Sequence, residues 1–294
     1  MKVAFLGLGL IGGSVARALR DRGSAGPDAR IRIAAWTPSG VGPRAAHRDG
    51  VVDEAASTPE AAIDGAELVV LAGPVPACLA MLDELAGPWR TALTPGGVIT
   101  DVASTKSALV LRATALGLRF VGGHPMAGRE ASGYGAASGD LFVDRPWVVV
   151  PGGDEPAARR VEALARAVGA RPVRLSAQAH DDAVAGISHL PLLVSAALVE
   201  AVAGSPEMPR AGWSDARGLA ASGWRDTTRL ARGDASMGAG IIVTNGAPLA
   251  TRVRDLIATL TSWADELERP GGPDPETVAR RLAAARATLE ARER

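Results

Sequence analysis

Two polar segments of the chain carry residue types that suit acid–base chemistry. His124 follows the apolar run 119–123, and the segment after the run 98–102 contains Ser104 and Lys106. Imidazole has an unperturbed pKa of about 6.5, so a histidine at this position can accept a proton near neutral pH. Ser104 could orient the ring, whereas Lys106 could anchor a phosphate or a carboxylate, or lie in solvent. A purely structural role for His124 is the alternative.

The N-terminal residues contain a pattern that binds dinucleotide phosphates. The apolar run 3–6 is followed by residues 7–12, which fit G-x-G-x-x-G, and apolar residues then recur at helical spacing up to Gly23. In such a strand–turn–helix, the first glycine permits the tight turn, the second leaves room for a pyrophosphate and the third lets helix and strand pack closely. A glycine-rich turn without a ligand is the alternative. The predicted cofactor contacts here are Gly7, Gly9, Leu10, Ile11 and Gly12.

The end of the second predicted strand, residues 31–36, bears on the choice between NAD and NADP. Chains that select NAD usually carry an acid about 20 residues after the glycine motif, where it holds the ribose 2′-hydroxyl. Here Thr37 and Ser39 follow the strand, and no acid appears before Asp49. Arg44 could reach a 2′-phosphate, or could be a solvated loop charge. The sequence favours NADP and leaves NAD, or use of both, open.

Strands and helices alternate through the first 175 residues. Because ligands of doubly wound sheets bind beyond the carboxyl ends of the strands, the residues directly after each strand are candidates for binding. By this argument Gly73, Pro74 and Asp101 join Ser104 as candidate cofactor contacts. The further strands are predicted at 68–72, 98–102, 119–123, 147–150 and 172–175, with a helix at 155–168.

The remaining residues, 176–294, read as a helical domain. The stretch 179–204 is apolar on most faces and predicts one long helix inside a bundle or at a subunit interface. A second helix is predicted at 247–267. A Pro/Gly linker at 269–273 separates it from a charged amphipathic tail helix at 275–294.

Composition excludes several classes of protein. The 32 basic and 32 acidic residues balance, which argues against a nucleic-acid-binding protein. The one cysteine, Cys78, excludes an intrachain disulfide framework and a thiolate-rich metal site. No metal site is therefore predicted, and a reducing, cytoplasmic location is expected. No uninterrupted apolar run reaches the roughly 18 residues of a membrane span, so no membrane association is expected.

Six motifs together resemble the prephenate/arogenate dehydrogenase family of tyrosine biosynthesis. The glycine motif alone is common to many dehydrogenases, but the other five are specific in combination, and they occur in the family's order over about residues 1–265. The resemblance implies a Rossmann-like α/β domain (1–175) and an all-α dimerisation domain (176–294), an architecture like that of 6-phosphogluconate dehydrogenase, with a homodimer formed by the C-terminal helices. The motifs are residues 7–14, 101–106, 124–128, 180–181, 187–191 and 225–229.

The resemblance also implies roles for individual residues. The family's substrate is a small cyclohexadiene that loses hydride from its hydroxyl-bearing carbon to NAD or NADP, and carbon dioxide from the opposite carbon. His124 matches the family's base, and Ser104 matches the residue that supports it. Arg229 matches the cation that holds the ring carboxylate, since a guanidinium pairs with both carboxylate oxygens. Further residues matched to the substrate site are His189, Ser188, Arg225 and Glu130; for His189 a core role is the alternative.

Three departures from the family pattern concern substrate recognition. Leu192 stands where the family commonly has a second histidine, Gly238 where it has tryptophan, and Arg129 where it has a small hydroxyl residue. The resemblance places the first two positions near the substrate side chain, so these changes bear on recognition of the pyruvyl or alanyl group; Arg129 or Arg225 could compensate by supplying a cation. Prephenate dehydrogenase is the leading interpretation. The alternatives are arogenate dehydrogenase, a dehydrogenase of a related cyclohexadiene, and a non-catalytic NADP(H)-sensing regulator.

Overall fold

The computed structural model describes residues 1–22, 31–129 and 131–291. The chain divides into two compact units, Met1–Gly246 and Ala247–Arg294. The predicted domain boundary between residues 175 and 176 therefore lies inside the first unit.

The first unit contains an eight-stranded sheet in the order β3-β2-β1-β4-β5-β6-β7-β8. Neighbouring strands are parallel except β6 and β7, which run antiparallel with His124 opposite Val148. This confirms the predicted Rossmann-like fold; the two-residue β3 and the antiparallel pairing of β7 were not predicted. The strands are β1 (Lys2–Leu6), β2 (Arg32–Trp36), β3 (Glu54–Ala55), β4 (Leu68–Leu71), β5 (Val98–Asp101), β6 (Phe120–Pro125), β7 (Pro146–Val150) and β8 (Arg171–Arg174).

Helices cover both faces of this sheet and bury two apolar clusters. Val3 and Phe5 point into one cluster, whereas Ala4 and Leu6 point into the other, as the two-residue period of a strand requires. A strand buried on both faces reads as a continuous apolar run, which is why residues 3–6 were recognisable in the sequence. The helices are α1 (Leu10–Arg22), α2 (Val41–Arg48), α3 (Pro59–Ile63), α4 (Val75–Ala86), α5 (Ser107–Ala115) and α6 (Glu155–Ala167).

The helical part of the first unit follows β8. The helix predicted at 179–204 is found as α7 and α8, joined by one π-helical turn at Ala185–His189. Such single wide turns are frequent at functional sites. The helices and the 3-10 turn used below are α7 (Ala177–Val184), α8 (Leu190–Val202), α9 (Trp213–Ala216), α10 (Ser222–Thr227), the turn Arg229–Arg232 and α11 (Ala235–Thr244).

The continuous helical stretch Ala177–Val202 is long and apolar enough, by length and composition, to cross a membrane. This criterion alone is weak, because core helices satisfy it too. Three polar side chains of this stretch, His180, Asp181 and His189, are each only 1% exposed and make hydrogen bonds inside the first unit.

The second unit is a pair of helices, α12 (Gly246–Leu267) and α13 (Pro275–Glu290), close to the predicted bounds. Asp274 caps α13 by accepting a hydrogen bond from the Thr277 backbone N–H at 3.1 Å. Arg281 lies over the Trp263 ring, with its guanidinium carbon 3.8 Å from the ring centroid.

Candidate functional site

The glycine turn between β1 and α1 has the backbone geometry of a phosphate cradle. Gly7 has a φ of +106°, and a Cβ added there would lie 2.5 Å from the Ala72 carbonyl oxygen. A Cβ on Gly12 would lie 2.8 Å from the Gly7 carbonyl oxygen, whereas a Cβ on Gly9 would meet nothing within 4 Å. Glycine is needed at position 7 because the backbone of Ala72 lies close to it, and at position 12 because the backbone of Gly7 lies close to it. Gly9 faces open space. The open side at Gly9 and the N-terminus of α1, with Leu10 and Ile11 partly exposed, fit a dinucleotide pyrophosphate.

A cavity of about 730 Å³ adjoins this turn. Of the residues predicted to choose between NAD and NADP, Thr37 and Ser39 line the cavity. Arg44 does not belong to its lining; its guanidinium donates to the Ser39 carbonyl at 3.0 Å. The lining residues are Leu8, Gly9, Arg17, Thr37, Ser39, Val41, Gly42, Ala45, Asp49, Gly133, Tyr134 and Gly135.

The sequence reasoning missed three polar residues of this cavity, which are Asp49, Arg17 and Tyr134. Asp49 accepts hydrogen bonds from Arg17 at 2.8 Å and from the Tyr134 hydroxyl at 3.0 Å. Arg17 also lies 4.6 Å from the Tyr134 ring centroid. The positive charge in the cavity lining is therefore that of Arg17. The helical spacing of apolar residues predicted which positions of α1 are buried, but it did not show that the polar residue Arg17 faces the cavity.

Two other strand ends place predicted cofactor contacts at the same edge of the sheet. Gly73 and Pro74 follow β4, and Pro74 directly precedes α4. Pro74 is exposed, and Ser104, in the loop after β5, is partly exposed. These three residues are partly or fully exposed at the carboxyl edge of the sheet, and their contact with a cofactor stays a prediction.

Asp101 and Lys106 form a buried ion pair. Both side chains are 0% exposed, and Lys106 Nζ donates to the Asp101 carboxylate. Burial raises the pKa of Asp101, and the ammonium of Lys106 opposes that rise. The expectation that Lys106 anchors a ligand or lies in solvent was wrong, because its ammonium is enclosed. The Asp101 side chain is likewise enclosed, so the predicted cofactor contact by this residue has no exposed atom to make it.

This ion pair holds the peptide that precedes His124. Asp101 Oδ1 accepts from the Gly123 N–H at 2.9 Å, and Lys106 Nζ donates to the Gly123 carbonyl at 2.8 Å. A Cβ on Gly123 would lie 2.5 Å from the Asp101 carbonyl oxygen, so only glycine fits. The pair therefore fixes the backbone from which the His124 side chain extends.

The His124 ring is held by a chain of hydrogen bonds to α7. His124 Nδ1 lies 2.8 Å from His180 Nε2, and His180 Nδ1 lies 2.8 Å from Asp181 Oδ1. The Asp181 carboxylate also accepts from the backbone N–H groups of Lys106 and Ser107, both at 2.8 Å. These bonds place a negative charge at the N-terminus of α5, where it is favourable.

The ionisation of Asp181 decides the tautomers along the chain. Burial alone would raise the pKa of Asp181, but hydrogen bonds from His180, Ser107 and Lys106 together lower it, so the carboxylate is an acceptor. With both rings neutral, His180 donates from Nδ1 and accepts at Nε2, and His124 donates from Nδ1. The remaining nitrogen of His124, Nε2, is left as an unprotonated acceptor.

The pKa of His124 is lowered well below 6.5, first by burial and then by the positive charge of Lys106. The residue as a whole is nevertheless partly exposed. A neutral imidazole with a free Nε2 is what a general base at neutral pH requires.

His189, at the end of the π-helical turn, is buried and hydrogen bonded to Asn245, with His189 Nδ1 2.9 Å from Asn245 Nδ2. Its neighbour Ser188 is exposed. Burial lowers the pKa of His189 to about 4, so this ring is also neutral.

The predicted cations lie on short helical segments after α8. Arg225 on α10 and Arg229 in the 3-10 turn are both exposed. The turn is attached to α8 by a 3.0 Å hydrogen bond from the Ala231 N–H to Ser195 Oγ. Glu130 lies outside the described residues.

Arg129 lines a second, polar cavity of about 440 Å³ together with Arg145 and Asp140. Within the described ranges no group of three or more His, Cys, Asp or Glu residues could hold a metal ion.

Around His124 and His189, sequence reasoning also missed His180 and Asn245. His180–Asp181 was among the motifs of the resemblance, but no role followed from it. Their only signal was polarity: both are polar residues beside apolar helical stretches.

Comparisons with known proteins agree with this architecture. Residues 15–175 match the family described as prephenate dehydrogenase, nucleotide-binding domain, and residues 176–281 match the prephenate dehydrogenase dimerization domain. The prephenate dehydrogenase of Bacillus subtilis is 34% identical over 248 residues, which cover 83% of this chain and 64% of that protein. The chain therefore spans less than two thirds of that relative's length.

Two solved structures align over nearly the whole chain. Arogenate dehydrogenase from Synechocystis is 31% identical, with a TM-score of 0.77, over 98% of this chain and 100% of that one. Prephenate dehydrogenase from A. aeolicus, in complex with hydroxyphenyl propionate and NAD+, is 25% identical, with a TM-score of 0.84, over 99% and 98% of the two chains.

Proposed function

The chain belongs to the prephenate dehydrogenase family, and on that premise we propose that it converts prephenate to 4-hydroxyphenylpyruvate by oxidative decarboxylation. The observation that carries the proposal is His124. It lies at the carboxyl end of β6 with a neutral ring whose Nε2 is an acceptor. That is the group needed to take a proton from a ring hydroxyl.

The reaction balances with one base. When bound, a nicotinamide dinucleotide would supply the hydride acceptor. His124 Nε2 takes the hydroxyl proton, so that the C–O bond becomes a carbonyl as hydride leaves the same carbon. Loss of carbon dioxide from the opposite carbon then gives the aromatic ring, with the carbonyl oxygen recovering a proton as the phenol. Protonated His124 is stabilised through His180 by the Asp181 carboxylate, in the manner of a base oriented by a third group.

We assign the ring carboxylate to Arg229. Arginine suits this task because its planar guanidinium offers two parallel donors to a carboxylate. Its place in a turn bonded to α8, the helix that follows His189, supports the assignment. Ser104 is proposed to support His124, and Ser188, Arg225 and Glu130 are proposed as further contacts of the substrate.

Two of the three departures from the family pattern, Gly238 and Leu192, are neighbours in space. A Cβ added to Gly238 on α11 would lie 3.7 Å from Leu192 Cδ2 on α8. At this contact between α8 and α11, the side chains at the two positions are apolar or absent. Neither Gly238 nor its neighbours Ala239 and Gly240 offers an acid to attract the ammonium group of an alanyl side chain. This favours the pyruvyl side chain of prephenate.

Arogenate is the second candidate substrate, and the 31% identity to Synechocystis arogenate dehydrogenase supports it. A steady-state assay at 340 nm with prephenate or arogenate, each with NAD or NADP, tests the proposal. Turnover of prephenate is expected, with a higher kcat/KM than for arogenate. A folded protein that binds the dinucleotide yet turns over neither substrate would contradict it, and would favour a related cyclohexadiene or a sensing role.

NADP is proposed as the preferred cofactor. The lining of the 730 Å³ cavity at the end of β2 offers the hydroxyls of Thr37 and Ser39 and the guanidinium of Arg17. The carboxylate of Asp49 is engaged by Arg17 and Tyr134. Residues 37–48, which follow β2, contain no acid that would repel a 2′-phosphate.

Thr37→Asp should shift the cofactor preference toward NAD. A carboxylate at this position accepts a hydrogen bond from the ribose 2′-hydroxyl and repels a 2′-phosphate. We expect the ratio of kcat/KM for NADP over that for NAD to fall by roughly 10- to 100-fold, since each 1.4 kcal/mol is tenfold. Thr37→Asn is the matched control without the charge. An equal change of the ratio in both variants would contradict the electrostatic argument.

A homodimer and a cytoplasmic location complete the proposal. The match of residues 176–281 to a dimerization domain supports the dimer. Exposed apolar residues on that part of the chain, such as Ile187 and Val243, are consistent with a covered surface.

A further inference from the structure

His189 carries a buried ring nitrogen without a partner. The residue is 1% exposed, and among the described residues its Nε2 is one of the few buried side-chain polar atoms that lack a hydrogen bond. A buried polar atom left unpaired costs about 1–3 kcal/mol, so its presence in a folded site needs an explanation.

The chemistry of this orphan atom follows from Asn245. Asn245 Nδ2 lies 2.8 Å from the Asp181 backbone oxygen, which can only accept, so the nitrogen of the amide must face it. The same nitrogen lies 2.9 Å from His189 Nδ1 and directs its second hydrogen there. His189 Nδ1 is therefore an acceptor, and the proton of the neutral ring must reside on Nε2.

We propose that Asn245 is a positioning residue that makes His189 a neutral hydrogen-bond donor, and that the Nε2–H of His189 binds an oxygen atom of the substrate. This inference rests on the proposed function for the identity of the ligand. The low pKa of His189 supports it, because a ring that stays neutral keeps one donor and one fixed acceptor. An oxygen acceptor supplies the partner that Nε2–H lacks.

Asp181 thereby gives the Nε2 atoms of two histidines opposite hydrogen-bonding roles. Its carboxylate acts through His180 and leaves His124 Nε2 as an acceptor. Its backbone oxygen acts through Asn245 and leaves His189 Nε2 as a donor. Of the titratable groups that face the His189 ring, Asp181 raises the pKa of His189 and His180 lowers it. The substrate hydroxyl that loses its proton needs a hydrogen-bond acceptor, which His124 Nε2 provides. A carboxylate or carbonyl oxygen of the substrate needs a donor, which the Nε2–H of His189 provides. The two histidines therefore match a substrate that carries a hydroxyl and a second oxygen-containing group.

The test is to invert the polarity at position 245. Asn245→Asp is isosteric but presents acceptors to His189 Nδ1, and should move the ring proton from Nε2 to Nδ1. Two-bond 1H–15N NMR of histidine-labelled protein reads the tautomer directly and needs no substrate; His189→Gln assigns the signal. We expect an Nε2-protonated ring in the native protein and an Nδ1-protonated ring in the variant. KM for the cyclohexadiene should rise about 10- to 100-fold, with kcat and the dinucleotide KM nearly unchanged.

Asn245→Ala covers the case in which a buried aspartate prevents folding. It removes the constraint without adding charge, and should give a ring that exchanges between both tautomers. A native ring protonated on Nδ1, or a ring that stays locked in the Nε2–H form in either variant, would overturn the proposal. Because the tautomer is measured without substrate, a failure of the assay with prephenate leaves this result interpretable.

Discussion

His124→Asn is expected to lower kcat by about 100- to 10,000-fold, the range for loss of a general base. The Asn side chain can still donate from its amide nitrogen toward His180 Nε2, which lies 2.8 Å from His124 Nδ1, so the surrounding contacts are largely kept. What the variant lacks is the basic nitrogen at the position of Nε2. Stopped-flow measurement of reduced dinucleotide at 340 nm gives the rate, and fluorescence titration checks that dinucleotide binding is retained.

His47→Asn is the matched control, because His47 lies on α2 with its Nδ1 3.2 Å from the Val52 carbonyl oxygen and takes no part in the site. Its kcat should stay within about twofold of the native value, as for a surface substitution. The acidic limb of the pH profile is the second check. Since burial and Lys106 lower the pKa of His124, kcat/KM should stay constant down to well below pH 6.5. A limb near pH 7, or an active His124→Asn enzyme, would remove His124 from the role of base.

The parts of the fold that sequence could predict are those encoded by neighbouring residues. The run 3–6, the turn 7–12 and the helix that follows are specified by hydrophobic periodicity and by glycines with a steric purpose, and the structure places them as predicted. Fold class followed from repetition of that unit. The antiparallel direction of β7 was not predictable in this way, because strand direction leaves no trace in the apolar pattern of a strand buried on both faces.

The sequence singled out His124 as a candidate, but it did not predict the residues that hydrogen bond to the candidate histidines. His124 stands out in the sequence because it directly follows the apolar run 119–123 that predicts a strand. His180 is 56 positions from His124, and Asn245 is 64 positions from the carbonyl of Asp181 to which it donates. These contacts depend on how the helical part packs on the sheet.

The expectation for Lys106 was wrong for the same reason, because its burial depends on packing between distant segments. A lysine after a strand was expected to meet a ligand or solvent, and in fact it is enclosed with Asp101. The sequence offered the acid five positions earlier, but it did not show that both side chains are buried beneath the Gly123 peptide.

Lys106→Met is expected to destabilise the folded protein by about 3–5 kcal/mol, the cost of leaving one partner of a buried ion pair uncompensated. The carboxylate of Asp101 would remain fully buried with only the N–H groups of Gly123 and Ala103. Urea unfolding monitored by circular dichroism at pH 7 measures the loss. The loss should shrink as the pH falls toward 4, because burial already raises the pKa of Asp101 and, without Lys106, only the hydrogen bonds from the Gly123 and Ala103 N–H groups oppose that rise. The group then protonates in the folded state before it does so in the unfolded chain.

The double variant Asp101→Asn/Lys106→Met separates charge from packing. It removes both charges, and the amide oxygen introduced at position 101 can still accept from the Gly123 N–H. Most of the lost stability should therefore return, since replacing a whole buried pair is often close to neutral. The Gly123 carbonyl, however, loses the donor that lies 2.8 Å away in the native protein. His124 extends from that peptide, so the double variant should fold stably and still show a reduced kcat with an unchanged dinucleotide affinity. A single variant as stable as the native protein at pH 7, or a deficit that does not depend on pH, would mean that the Asp101 carboxylate is not held as an ion beneath the site.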